Sequence, residues 1–94
     1  MRLDLFLRAS RLAVRRTQAQ ELCEAGAVVV NGARARSSRE VRTGDEIILN
    51  RHDRILTVRV KEIPGGKQVS KSAAASLYEI LSSQNLETDD PFAV

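Results

Sequence analysis

Apolar positions at the start of the chain recur at helical spacing. Leu3, Phe6 and Leu7 share one face, and Asp4 and Arg8, four residues apart, fall on another. The pattern predicts a first helix running to about Ser10. Leu12 and Val14 break the period in a basic connector. Thr17 and Gln20 are spaced as a capping-box pair, which opens a second helix in which Ala19, Leu22 and Cys23 share a face. Gly26 supplies a left-handed stop. The period then shortens. Residues 28–30 are a run of three valines, Asn31-Gly32 is a strong short hairpin signal, and residues 33–36 return, which places Arg34 and Arg36 on one face of a short strand. Thr43-Gly44-Asp45 marks a further turn before strands over 46–50 and 55–63, joined by Arg51-His52-Asp53-Arg54 with His52 at the solvated tip.

Pro64-Gly65-Gly66 interrupts the chain. After it Ser70 or Ser72 can cap a third helix, on which Ala73, Ala74, Leu77, Ile80 and Leu81 form an apolar stripe bordered by Tyr78. A small body needs cover, so the stripe is expected to pack on its own domain; docking a protein partner is the other use of it. The acidic stretch Glu87-Thr88-Asp89-Asp90-Pro91 is expected to be mobile. The expected organisation is one folded domain over 1–63, a linker and C-terminal helix packing on it over 64–83, and a mobile acidic tail over 84–94. The fold class is α+β, two N-terminal helices packed on a small, mostly antiparallel sheet, plus a C-terminal helix.

Composition sharpens the picture. The chain has 94 residues and a formal net charge of +3, enough for one domain with an economical core. Residues 1–62 carry thirteen basic and eight acidic side chains, against two and four in residues 63–94. The basic surface therefore belongs to the first two-thirds. Twelve of the fifteen basic residues are arginine, whose planar fork pairs bidentately with phosphate. Arg15 and Arg16 stand just before the second helix, whose start offers unpaired N–H groups and the positive end of a dipole, a place for a phosphate oxygen.

Other chemistry is thin. One cysteine forms no internal disulfide and no multi-cysteine metal site, and His52 is the only histidine. Cys23 reads as a small buried hydrophobe. No converging titratable groups or activated nucleophile are visible, so no catalytic residue, metal or cofactor is expected, and Asp89 and Asp90 read as a solvated pair. No apolar run approaches a membrane span, and cytoplasmic residence is the default. Residues 1–16 have the arginine-rich, amphipathic character of a mitochondrial presequence, against which Asp4 argues.

Arg2-Leu3-Asp4, Arg11-Leu12, Arg15-Arg16-Thr17-Gln18-Ala19, Gly26, Val28-Val29-Val30-Asn31-Gly32 and Val41-Arg42-Thr43-Gly44-Asp45-Glu46-Ile47 occur in an order that resembles the alpha-L RNA-binding motif. This is the RNA-binding domain named after ribosomal protein S-four, and the likeness covers residues 1 to about 60. Met1-Arg2-Leu3-Asp4, Ser10-Arg11-Leu12 and Ala75-Ser76-Leu77-Tyr78-Glu79-Ile80-Leu81 look like small stand-alone bacterial members that act in ribosome-associated quality control, and more distantly like a heat-shock member. That resemblance implies RNA binding on the large ribosomal subunit with a stalled nascent chain, contacts to ribosomal RNA and tRNA, and a part in alanine tailing. Leu5 departs from the lysine common among relatives.

The resemblance puts the RNA surface on the first two helices and the adjoining hairpin. Arg15 and Arg16 are expected to grip phosphates. Arg2 resembles a family RNA contact, and Asp4 orients neighbouring arginines by charged hydrogen bonds. Thr17 and Gln20 serve either the helix start or the RNA. Arg11, Arg34 and Arg36 form a second tier in which a solvated arginine and a contact weigh equally, and Asn31 belongs to the same hairpin. With only Phe6, Tyr78 and Phe92 as aromatics, recognition by shape and phosphate is expected in place of base stacking. The chain is expected to be monomeric, away from membranes and not an enzyme. The other readings are heat-shock-type rescue of large subunits, an RNA-targeting module separated from an RNA-modifying enzyme, and a DNA-binding helix-turn-helix regulator, for which the 11–16 connector is long.

Overall fold

Alternation along the strands decides the architecture. Val28 and Val30, Ile47 and Leu49, and Leu56, Val58 and Val60 are buried, while Val29, Ile48 and Thr57 between them are half-buried, the period-two signature of a sheet with one covered face. The computed structural model describes residues 1–51, 54–64 and 70–85. Its elements in chain order are α1 (Leu3–Ala9), α2 (Arg16–Glu24), β1 (Val28–Val30), β2 (Ala33–Arg34), β3 (Glu46–Arg51), β4 (Arg54–Val60), α3 (Lys71–Ala74), a 3₁₀ turn (Ala75–Leu77) and β5 (Tyr78–Asn85). The sheet runs β2-β1-β3-β4-β5 and every neighbouring pair is antiparallel. Leu3, Phe6 and Leu7 of α1 and Ala19 and Cys23 of α2 join the inward strand residues in one apolar cluster.

The two expected N-terminal helices are present, and their ends have local causes. Gly26 takes φ +74°. Its N–H donates to the Cys23 carbonyl and that of Ala27 to the Leu22 carbonyl, both at 3.0 Å, the paired bonds of a Schellman stop. Asn31 and Gly32 both have positive φ, 50° and 87°, as a type I′ hairpin turn requires. The returning strand is shorter than expected: β2 ends at Arg34, and Arg36 lies in the following loop, so the two arginines do not share a strand face.

The C-terminal segment differs most from expectation. A helix does begin at Ser70, whose hydroxyl accepts from the Ala73 N–H at 3.2 Å. It lasts one turn, tightens to 3₁₀ and gives way to β5. The free edge of β4 is the reason: β4 buries Leu56, Val58 and Val60, and β5 pairs with it from Tyr78↔Val60 to Asn85↔Arg54, satisfying backbone groups beside the core. Leu77 enters the core, whereas Ile80 and Leu81 remain 57% and 40% exposed. The stripe expected to pack on the domain is therefore divided between core and surface. The His52 tip, the Gly65-Gly66 break and the acidic end from residue 86 lie outside the described residues.

Candidate nucleic-acid interface

The site is organised by one buried carboxylate. Asp4, the second residue of α1, is fully buried. Its Oδ1 accepts from the Leu5 N–H at 2.8 Å and lies 3.4 Å from Arg2 Nε. Its Oδ2 accepts from Arg16 Nε at 3.3 Å and from Gln20 Nε2 at 3.1 Å. Burial pushes the Asp4 pKa up, but the hydrogen bonds from Gln20 and Arg16, the charge of Arg2 and the Leu5 N–H outweigh it and hold the carboxyl below its ordinary value. Arg2 and Arg16 are about half exposed, at 45% and 50%. Each meets Asp4 through Nε, and a guanidinium carries four further N–H donors on its terminal nitrogens.

Helix polarity adds to this. At α1 the first N–H groups are occupied, those of Leu3 and Asp4 by the carbonyls of Arg39 and Ser37 and that of Leu5 by the Asp4 side chain. At α2 no side chain caps the start. Arg15 is the N-cap residue there, so the helix begins one residue before Thr17 and the expected Thr17–Gln20 capping box does not form. Gln20 reaches across to Asp4 instead, because it follows Arg16 by one turn on the same face. Gln18 reaches back, its Oε1 accepting from the Val14 N–H at 2.7 Å. The open α2 start thus lies beside exposed Arg15 and half-exposed Arg16, the combination that favours an anion.

The remaining expected residues are distributed differently. Arg11 is exposed in the connector with φ 63°. Arg34 lies against Gly26, its guanidinium 3.5 Å from where a Cβ there would stand. Arg36, Ser37 and Ser38 line a cleft of about 410 Å³ with Cys23 and Glu24, on the side of α2 that carries Arg16 and Gln20. Asn31 is engaged within the protein: Oδ1 accepts from the Glu46 N–H at 2.9 Å and Nδ2 donates to Asp45 Oδ1 at 3.1 Å. Cys23 is buried, and burial, followed by the charges of Asp4 and Glu24, pushes its thiol up to about 11. Arg51, which the sequence ranks with Arg39, Arg42 and Arg54 below the other arginines, donates its Nη1 to the Leu12 carbonyl at 3.2 Å and ties β3 to the connector. Among the described residues no group of three or more histidine, cysteine, aspartate or glutamate side chains could hold a metal ion, and no helix is long and apolar enough to cross a membrane.

Arginines gathered by a buried acid at an open helix start, on a small α+β domain, define a nucleic-acid-binding class of protein. Residues 1–47 match the S4 domain, and the chain belongs to that family. It is 41% identical over 80 residues to the RQC P-site tRNA stabilizing factor of Halalkalibacterium halodurans, covering 85% of this chain and 89% of the relative. The protein of that name from Bacillus subtilis is 40% identical over 86 residues, covering 92% and 98%. Among solved structures, the chain is similar to trimeric Vibrio cholerae Heat Shock Protein 15, with a TM-score of 0.78 and 32% identity over 87% of this chain and 82% of that one.

Proposed function

We propose that this chain is a non-catalytic RNA-binding factor of the large ribosomal subunit that stabilises P-site tRNA during ribosome-associated quality control. The observation that carries this reading is the convergence of Arg2 and Arg16 on buried Asp4 beside the open start of α2. Fixed guanidinium forks recognise the phosphates of a structured RNA through geometry and charge, with no demand for exposed aromatic rings. The names of the relatives, which the chain matches over most of their length, supply the ribosomal context. In this role the chain acts as a cytoplasmic monomer, touches ribosomal RNA and tRNA together, and supports alanine tailing of stalled chains. Arg2, Arg15 and Arg16 hold phosphates, Asp4 and Gln20 position Arg16, and Thr17 and Arg11 flank the contact.

Co-sedimentation of purified large subunits with Arg16→Ala tests the reading. The variant takes one partner from buried Asp4, so it is expected to melt somewhat below the parent while staying folded at the assay temperature, and to lose most of its subunit binding. Unchanged co-sedimentation would remove Arg16 from the site. The likeness to a heat-shock protein favours a second reading, rescue of stalled large subunits after heat stress. Comparing a deletion strain under heat with one burdened by stalled translation separates the two.

A further inference from the structure

On the flank of α2 away from Asp4, Gln18, Leu22 and Ala25 recur at helical spacing and form one wall of a second cleft of about 600 Å³. The other wall is Ala27 with the ends of β3 and β4, where Arg51 and Arg54 face each other in register. The cleft is an open depression, not an enclosed cavity. Leu22, Ala25 and Ala27 make an apolar floor, and Asn50 adds a carboxamide. Among the described residues the lining carries two guanidinium groups and no carboxylate. Two hydrogen bonds join this cleft to the connector that carries Arg15: Gln18 Oε1 accepts from the Val14 N–H, and Arg51 Nη1 donates to the Leu12 carbonyl. These bonds tie one end of the cleft to the connector that leads into α2.

We propose that this cleft receives a single nucleotide of the bound RNA, its base against Leu22, Ala25 and Ala27 and its phosphate between Arg51 and Arg54. The inference rests on the RNA reading of the Asp4-centred site. An apolar floor suits the flat face of a base, a carboxamide offers a donor and an acceptor to its edge, and paired guanidinium forks suit the phosphate.

The test uses the full chain and purified large ribosomal subunits. An Ala25→Cys variant is labelled with a thiol-reactive benzophenone; the native Cys23 thiol is buried and pushed up to about 11, so the introduced thiol reacts first. Irradiation of the bound complex is expected to give an adduct on an RNA nucleotide. Separately, Arg54→Ala is expected to lower the slope of log affinity against log salt by about one. Ala25→Glu, which places a carboxylate at the cleft, is expected to weaken subunit binding about tenfold with the melting temperature unchanged. An adduct on ribosomal protein alone, or parental affinity of Ala25→Glu, overturns the cleft while the Arg16 site stands. Failure of the unlabelled parent to bind subunits overturns the RNA reading and the cleft with it.

Discussion

Asp4 shows how much one side chain can organise. A buried carboxylate is costly unless it is paired and hydrogen-bonded, and Asp4 meets that condition through Leu5, Arg2, Arg16 and Gln20. Arg2 and Arg16 among its partners are the arginines proposed to hold phosphates, so in that reading the interaction that makes the acid tolerable also fixes the binding geometry. Asp4→Asn turns an acceptor into a group that presents N–H to Arg16 and Gln20, and is expected to cost on the order of 1–3 kcal/mol in chemical unfolding along with subunit affinity. A pH series gives an independent check. Because the folded pKa of Asp4 lies below its unfolded value, its contribution is fully present above the unfolded carboxylate pKa of about 3.9 and is lost as pH falls through the lower, folded one. The parent should lose stability in that acidic window by more than Asp4→Asn does. Equal acid sensitivity of the two would show that Asp4 is not held as described.

At the scale of elements, ends and edges mattered more than interiors. The α2 stop depends on a left-handed residue, and Gly26→Ala is expected to cost about 1–2 kcal/mol because an L side chain resists φ +74°. A thermal melt that matched the parent would mean the stop tolerates a Cβ. The C-terminal stripe gives a sharper contrast. Leu77→Ala removes a buried side chain and is expected to cost about 2–4 kcal/mol, whereas Ile80→Ser on the exposed side of β5 should stay within about 0.5 kcal/mol. Similar losses at both positions would point to the continuous packed helix that the spacing of Leu77, Ile80 and Leu81 suggests. That spacing of three and four residues reads as helix from the sequence alone; the unpaired edge of β4, distant in sequence, was the stronger constraint. The Asn31-Gly32 turn and the Gly26 stop were readable in advance because their backbone angles select those residue types wherever they occur.

For the molecule as a whole, the proposed binding rests on where the charge lies. If about five arginines neutralise phosphates, raising salt from about 50 to 200 mM should weaken subunit affinity on the order of a hundredfold. Filter binding or sedimentation across that range checks it, and a flat response would contradict phosphate recognition. By itself the sequence determined the class: the order of short motifs, the arginine excess in the first two-thirds and the alternation of the strands follow from local chemistry and survive any packing. Only the tertiary structure decided which arginines act together. Arg2 and Arg16 meet because α1 lays a buried carboxylate between them, Asn31 is engaged with Asp45 and Glu46, Gln20 serves Asp4 in place of the helix cap, and residues 78–85 became a strand. Each of these outcomes depends on partners far apart along the chain, where spacing between neighbours carries no information and hydrogen-bond satisfaction inside the fold chooses the arrangement.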